Sequence, residues 1–109
     1  MHNKTLNALQ SYELTVRQHE NAAITYTVKW SPVLASGVTV STSAWSTEDS
    51  NLTIAGAANT TVAASARLAA TSPGIYKAVN KITDSDGNTD ERAIRVVVKD
   101  NSKTYDYGM

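Results

Sequence analysis

Apolar and polar residues alternate along most of this chain, as they do in β-strands that bury one face. The alternation is most regular between residues 23 and 30, where Ile24, Tyr26, Val28 and Trp30 fall on one side. Threonine and lysine residues occupy the other side. Because successive side chains of a strand point to opposite faces, this segment is predicted to be a half-buried strand.

Six further segments are predicted to be strands because they alternate or are rich in β-branched residues. They are residues 13–17, 38–45, 52–54, 61–68, 75–83 and 89–99. Turn residues separate them, including Pro32, Gly37, residues 56–59 and residues 72–74. No long segment repeats its apolar residues at helical spacing. About seven short strands with frequent turns predict an all-β domain, either a sandwich or a small barrel.

The strand predicted over residues 38–45 contains one conflict of faces. Val38, Val40 and Ala44 share a face, whereas Trp45 falls on the opposite one. Either a β-bulge rotates Trp45 inward, or Trp45 covers an outer surface of the domain.

The segment from Ile75 to Lys99 has the strongest hairpin signal, since two β-branched runs flank a turn rich in Asp, Gly and Asn. Asp84, Asp86, Asn88 and Asp90 recur at every second residue, a spacing that calcium loops also use. Calcium loops, however, require glycine at the sixth position and a glutamate at the twelfth, whereas Gly87 stands fourth and Arg95 twelfth. We therefore expect turn residues here, with no metal and no cofactor.

Polar side chains on the inward face of this hairpin need hydrogen-bond partners. Asn80 shares the apolar face of its strand with Tyr76 and Ile82, and Asp90 and Arg92 share a face of the next strand. We expect Asn80, Asp90 and Arg92 to form one polar network that fixes the arrangement of the core. The predicted structural core and polar network together comprise Tyr26, Trp30, Tyr76, Asn80, Ile82, Asp90 and Arg92.

Length and charge restrict the classes of function. The chain has 109 residues, which suits one domain, and its 10 basic and 10 acidic residues give a formal net charge of zero. We therefore expect no nucleic-acid partner and no membrane partner. The chain has no cysteine, so neither disulfides nor thiolate metal sites are expected. The predicted organisation is an N-terminal arm over residues 1–12, a sandwich over 13–100 and a C-terminal arm over 101–109.

Catalytic patterns are missing from the sequence. His2 and His19 are far apart, no Gly-x-Ser-x-Gly turn is present, and no glycine-rich phosphate loop is present. We therefore expect a protein without enzymatic activity. One alternative is a carbohydrate-binding module for host attachment, which requires Trp45 or Tyr76 to form a flat exposed platform.

Several short motifs resemble, in the same order, a family of tailed-phage virion proteins described as fibre–tail adaptors. The motifs are residues 26–30, 34–40 and 44–45, followed by Tyr76, residues 80–83, Gly87 and residues 89–92. The resemblance covers roughly residues 20–98. This resemblance implies an immunoglobulin-like β-sandwich with antiparallel strands. It implies no catalytic residue.

The resemblance also implies a role and a location. We expect a structural protein of the phage virion, assembled in the host cytoplasm, that joins the tail or neck to fibres through its arms and strand edges. The expected partners are other virion proteins, with further copies of the chain in a homo-oligomeric ring. A capsid decoration protein or a head–tail neck protein is the alternative within this class.

Overall fold

The computed structural model describes residues 3–100, which form eight β-strands and no helix. The strands are β1 (Asn3–Asn7), β2 (Glu13–His19), β3 (Ala23–Lys29), β4 (Val40–Ser46), β5 (Leu52–Asn59), β6 (Ala63–Ala70), β7 (Gly74–Asp84) and β8 (Thr89–Lys99). The described residues accordingly contain no helix that is long and apolar enough to cross a membrane. The C-terminal arm predicted over residues 101–109 lies outside the described residues.

The strands form two four-stranded sheets that pack face to face. One sheet has the order β1-β3-β6-β5, and the other has the order β2-β8-β7-β4. The prediction of an all-β sandwich is confirmed, but the described strands number eight rather than seven. They are also not all antiparallel, because β1 pairs parallel to β3 and β2 pairs parallel to β8.

The core lies between the sheets and follows the alternation of the sequence. On β3, the side chains of Ile24, Tyr26 and Val28 are buried, while Thr25 and Thr27 are half-buried on the other face. Trp30 directly follows this strand and is completely buried. Burial of apolar side chains stabilises a fold by roughly 25 cal/mol for each Å² removed from water, so these residues anchor the sandwich.

Residues 3–8 differ from the arm predicted over residues 1–12. Residues 3–7 form β1, which pairs with β3 from Thr25 to Lys29, and Ala8 is completely buried beyond it. The pairing was not visible in the sequence because Leu6 is the one apolar residue of β1. The backbone N–H and C=O groups of this short segment are paired with those of β3. The segment therefore forms a strand without an alternating pattern of its own.

Two β-bulges change the faces predicted for β4 and β5. The register between β4 and β7 shifts between Val40 and Thr42, so that Ala44 is exposed and Trp45 packs against the core. The bulge alternative for Trp45 is thus confirmed, and the inward face predicted for Ala44 is wrong. Residues 56–59, predicted to be a turn, instead belong to β5, where a second register shift lies between Ala55 and Ala58.

The β7–β8 hairpin matches its prediction closely. The strands were predicted over residues 75–83 and 89–99 and extend over Gly74–Asp84 and Thr89–Lys99. In the turn, the Asp84 carboxylate accepts hydrogen bonds from the backbone N–H groups of Asp86 (2.9 Å) and Asn88 (3.0 Å). Gly87 adopts a φ of 86°, a left-handed conformation that glycine adopts without steric cost.

Candidate functional site

A first buried polar cluster joins the end of β3 to the β7–β8 hairpin. The indole N–H of Trp30 donates to the Asn80 side-chain oxygen at 2.8 Å, and both residues are completely buried. The Asn80 amide in turn donates to the Ser43 hydroxyl at 2.9 Å and to the Ala44 carbonyl at 3.3 Å. Asn80 therefore connects β3, β4 and β7, and its polar atoms are satisfied inside the core.

Arg92 covers the outer side of the same cluster. Its guanidinium lies over the Trp30 ring, 5.1 Å from the ring centroid, within the range of a cation–π interaction. The guanidinium also donates to the Ala8 carbonyl at 2.7 Å and forms an ion pair with Asp90 at 2.9 Å. Asp90 is 53% exposed, so this ion pair lies at the rim of the core.

The predicted network of Asn80, Asp90 and Arg92 is therefore brought together through Trp30. Asn80 and Arg92 are cross-strand neighbours in the hairpin, and the indole of Trp30 contacts both side chains. Ile82, Tyr26 and Tyr76 lie outside this cluster. Ile82 is a buried apolar residue of the core, and each of the two tyrosines has hydrogen-bond partners elsewhere.

A second buried polar cluster forms around Tyr26, in the middle of β3. The Tyr26 hydroxyl donates to the Gln18 side-chain oxygen at 2.7 Å, and the Gln18 amide donates to the carbonyls of Ala22 and Leu68. Burial of this phenol raises the pKa of Tyr26 to about 12. Gln18 was missed in the sequence because the strand was predicted to end at residue 17. In the structure β2 continues to His19, and Gln18 extends the inward face of Leu14 and Val16.

The two aromatic residues considered for sugar binding are not freely exposed. Trp45 is half-buried against the core. Tyr76 is also half-buried, and its hydroxyl donates to the Ser72 carbonyl at 2.9 Å, which ties it to the turn before β7. A flat aromatic platform of the kind that the carbohydrate alternative requires is not formed by either residue.

A shallow cleft of about 560 Å³ opens on the outer face beside β7 and the loop after β4. Two of its three carboxylates have partners, since Asp49 accepts the backbone N–H of Lys77 at 2.8 Å and Glu91 accepts the Tyr12 hydroxyl at 2.8 Å. The hydrogen bond to Glu91 raises the pKa of Tyr12. Across residues 3–100, no group of three or more His, Asp or Glu side chains is placed to hold a metal ion.

The four edge strands differ in charge. β1 contains Lys4, and β2 contains Glu13 and Arg17. β4 and β5, which lie beside each other on the other side of the sandwich, contain no charged residue. The two carboxylates of the intervening loop, Glu48 and Asp49, are the only charged groups from residue 30 to residue 66. Proteins commonly place charges on exposed edges to prevent pairing with other chains.

Comparison with known protein families connects this sandwich to a biological class. The sequence profile of the podophage GP4 fiber-tail adaptor protein gp77 matches residues 18–97. The chain belongs to this family. It is therefore a phage fibre–tail adaptor, a structural component of the virion, and the family is not one of enzymes. No curated protein sequence matches the chain.

Solved structures share its fold at low sequence identity. The cysteine protease inhibitor EhICP2 from Entamoeba histolytica is 11% identical with a TM-score of 0.56, covering 91% of this chain and 99% of its own. The PKD domain from KIAA 1837 protein is 14% identical with a TM-score of 0.53, covering 83% of this chain and 80% of its own. The endo-fucoidan hydrolase MfFcnA4 is 13% identical with a TM-score of 0.55, and the match covers 84% of this chain but 13% of the hydrolase. At these identities the likeness extends to the fold and not to the activity.

Proposed function

We propose that this adaptor works as a rigid immunoglobulin-like spacer whose uncharged edge strands pair with neighbouring tail or fibre proteins. The observation that carries the proposal is the absence of charge from β4 and β5, two adjacent edges of the sandwich. An open edge offers unpaired backbone N–H and C=O groups, to which another chain can add a strand. The segments Thr42–Ser46 and Leu52–Ala55 keep a regular register and suit this pairing.

Two features support the immunoglobulin-like assignment. When β3 to β8 are taken as strands B to G, the sheets have the orders B-E-D and G-F-C, which are those of immunoglobulin domains. Tyr76 then lies near the start of strand F and binds the Ser72 carbonyl four residues upstream, as a tyrosine corner does. The Trp30–Asn80 hydrogen bond locks the two sheets together, which makes the spacer rigid.

The bulges in β4 and β5 are consistent with edges that must stay unpaired before assembly. A bulge twists an edge and interrupts its ladder of backbone groups, which hinders random pairing. The regular segments beside the bulges remain available to a partner that fits them.

Residues 3–8 contribute to the sandwich itself, so the N-terminal arm does not serve as a free connector over these residues. The C-terminal segment 101–109 stays a sequence prediction as a connector, and truncation after Asp100 tests it.

Charges placed on the β4–β5 side should block assembly without unfolding the domain. We expect Ala44→Lys and Thr53→Lys, both at exposed positions, to leave the thermal midpoint nearly unchanged, because exposed substitutions alter stability by about 0.5 kcal/mol or less. Particles that receive these variants in place of the wild-type chain should lack the adaptor and their fibres. The readouts are the protein content of purified particles and their infectivity.

Thr5→Lys is the matched control, because it adds the same charge at an exposed position of β1, an edge that already carries Lys4. This variant should enter particles normally. Normal incorporation of Ala44→Lys and Thr53→Lys would exclude the β4–β5 side as the docking edge. Immunogold labelling at the head surface, rather than at the tail, would favour the decoration-protein alternative.

A further inference from the structure

The charges of the β7–β8 hairpin are separated along its length. Residues 82–91, at the turn end, contain Asp84, Asp86, Asp90 and Glu91 and no lysine or arginine. The two flanking segments, residues 74–81 and 92–99, contain five basic residues and no acidic one. The whole chain has a formal net charge of zero. The positions of the charges nevertheless give this hairpin one positive and one negative end.

The positive end forms a patch on the outer surface of its sheet. Lys77 lies directly opposite Arg95, Arg17 lies opposite Val97, and Val97 in turn lies opposite Ile75. We call Arg17, Lys77, Arg95 and Lys99, together with the exposed Ile75, the basic face. Ile75 is 59% exposed. Ile75 lies at the border of the basic face, because β4 pairs with β7 only from Val79 to Asp84. The face therefore combines four basic groups with one exposed apolar side chain.

The basic face is electrostatically unfavourable in an isolated chain. Like charges directly opposite each other in a sheet destabilise it, and Lys77 and Arg95 are such a pair. None of Arg17, Lys77 and Arg95 forms an ion pair with a carboxylate from residues 3–100. Carboxylates near the face include Glu13, on the outward side of β2, and Asp49, which accepts the backbone N–H of Lys77. Glu20 and Asp100 lie next to Lys99 at the end of the face.

The turn end of the hairpin is held in a fixed shape. The Asp84 carboxylate accepts two backbone hydrogen bonds within the turn, while Asp86 is exposed beside it. Asp90 forms an ion pair with Arg92, and Glu91 accepts the Tyr12 hydroxyl and lies opposite Lys81. We call Asp84 and Asp86 the acidic tip.

The basic face and the acidic tip lie too far apart to neutralise each other within one chain. Seven residues separate Lys77 from Asp84 along β7, a distance of roughly 23 Å at about 3.3 Å per residue. The screening length at physiological salt is about 8 Å, so the attraction between the ends is largely lost. A second copy of the chain can place its acidic tip directly on the basic face.

We propose that the acidic tip of one copy docks onto the basic face of the next. The two surfaces differ, so the contact is heterologous, and each copy keeps one surface of each kind free for a further copy. Repetition of such a contact closes a ring if the rotation allows it. This inference rests on the proposed adaptor role. It specifies how copies of the adaptor would contact each other in the homo-oligomeric ring that the sequence resemblance implies.

Charge reversal on either surface tests the contact with purified protein. At about 50 mM salt the wild-type chain should associate, and at about 500 mM salt it should dissociate, because screening weakens the ion pairs. Lys77→Glu/Arg95→Glu and, separately, Asp86→Lys should each weaken association at least tenfold. The triple variant with all three reversals should recover part of the association, because the positive charge at position 86 can then pair with the negative charges at positions 77 and 95. Sedimentation velocity gives the masses, and circular dichroism melts establish that each variant is folded.

Lys4→Glu/Lys29→Glu, in the other sheet, is the control. It changes the net charge by the same amount as Lys77→Glu/Arg95→Glu. This control should associate like the wild type. A wild-type chain that is monomeric at low salt would overturn the proposal, as would association that ignores salt or a triple variant that stays monomeric. Specific binding of the basic face to duplex DNA, or to an acidic protein in place of a second copy, would also overturn it.

The result of the charge-reversal test can be distinguished from the result of the particle-incorporation test of the proposed function. Loss of particle incorporation in Ala44→Lys and Thr53→Lys with intact self-association would support the docking edge and leave the copy contact standing. Charge-reversal variants that remain monomeric but enter particles and carry fibres would instead retain the adaptor role without this contact.

Discussion

The two buried polar clusters both involve β3 or the residue that follows it, and both lie between the sheets, but they are held differently. The Tyr26 cluster is neutral and contains one side-chain pair, with Gln18 bound to two backbone carbonyls. The Trp30 cluster joins three strands through Asn80 and is covered by the charged Arg92. The Tyr26 cluster also joins three strands, because Gln18 of β2 binds Tyr26 of β3 and the Leu68 carbonyl of β6. The Trp30 cluster, however, connects more side chains, since Ser43 and Arg92 join Trp30 and Asn80, so it should contribute more to the rigidity of the spacer.

The largest effect is expected for Asn80→Ala. The substitution leaves the buried indole N–H of Trp30 without its acceptor and opens a small cavity, so the free energy of unfolding should fall by about 3 kcal/mol. Denaturant unfolding at neutral pH measures this loss. Asn51→Ala, at an exposed position, is the matched control and should change stability by about 0.5 kcal/mol or less. A loss smaller than that of Tyr26→Phe would reverse the ranking of the two clusters.

A smaller effect at neutral pH is expected for Tyr26→Phe, which removes the hydroxyl that donates to Gln18. We expect a loss of about 1–2 kcal/mol, because the Gln18 oxygen stays buried without its donor. The exposed Tyr12→Phe serves as control and should lose much less.

Alkaline pH distinguishes Tyr26 further. Its pKa in the folded chain is about 12, compared with 10.0 for an unperturbed tyrosine. Protonated Tyr26 therefore stabilises the folded chain fully below pH 10, and this stabilisation is lost as the pH rises through 12. The reason is that the Tyr26 hydroxyl loses its proton at a lower pH in the unfolded chain than in the folded chain. By pH 11 the wild type should have lost roughly 1.4 kcal/mol more than Tyr26→Phe. Parallel pH dependences of the two proteins between pH 9 and 11 would contradict this assignment.

The smallest effects are expected at the rim of the Trp30 cluster. Arg92→Met keeps an apolar stem over the indole but removes the cation–π contact and the hydrogen bond to Ala8, and should cost about 1 kcal/mol. Asp90→Asn removes only a half-exposed ion pair and should cost about 0.5 kcal/mol or less. Thermal melts at low and high salt compare the two variants. Equal losses would mean that the ion pair, rather than the stacking on Trp30, holds Arg92.

The regular strands were predictable because their local pattern agrees with their environment. The alternation from Ile24 to Trp30 and the turn chemistry around Gly87 are local properties, and the structure follows both. β1 was not predictable, since its backbone is satisfied by parallel pairing with β3, a partner about 20 residues away in sequence. The position of Trp45 was open for a similar reason, because one extra residue in a bulge exchanges the two faces of a strand.

The features of the candidate site also fall into two groups, those predictable from the sequence and those that depend on the tertiary structure. The sequence alone predicted an all-β class, turn chemistry around Asp84 and a need for polar partners around Asn80, because these depend on residue type and on spacing along one or two strands. Only the tertiary structure decided that Trp30 connects Asn80 to Arg92, that Gln18 binds Tyr26, and that two uncharged edges lie side by side. These features join residues that are distant in sequence, and which strands become neighbours is determined by the packing of the two sheets as a whole.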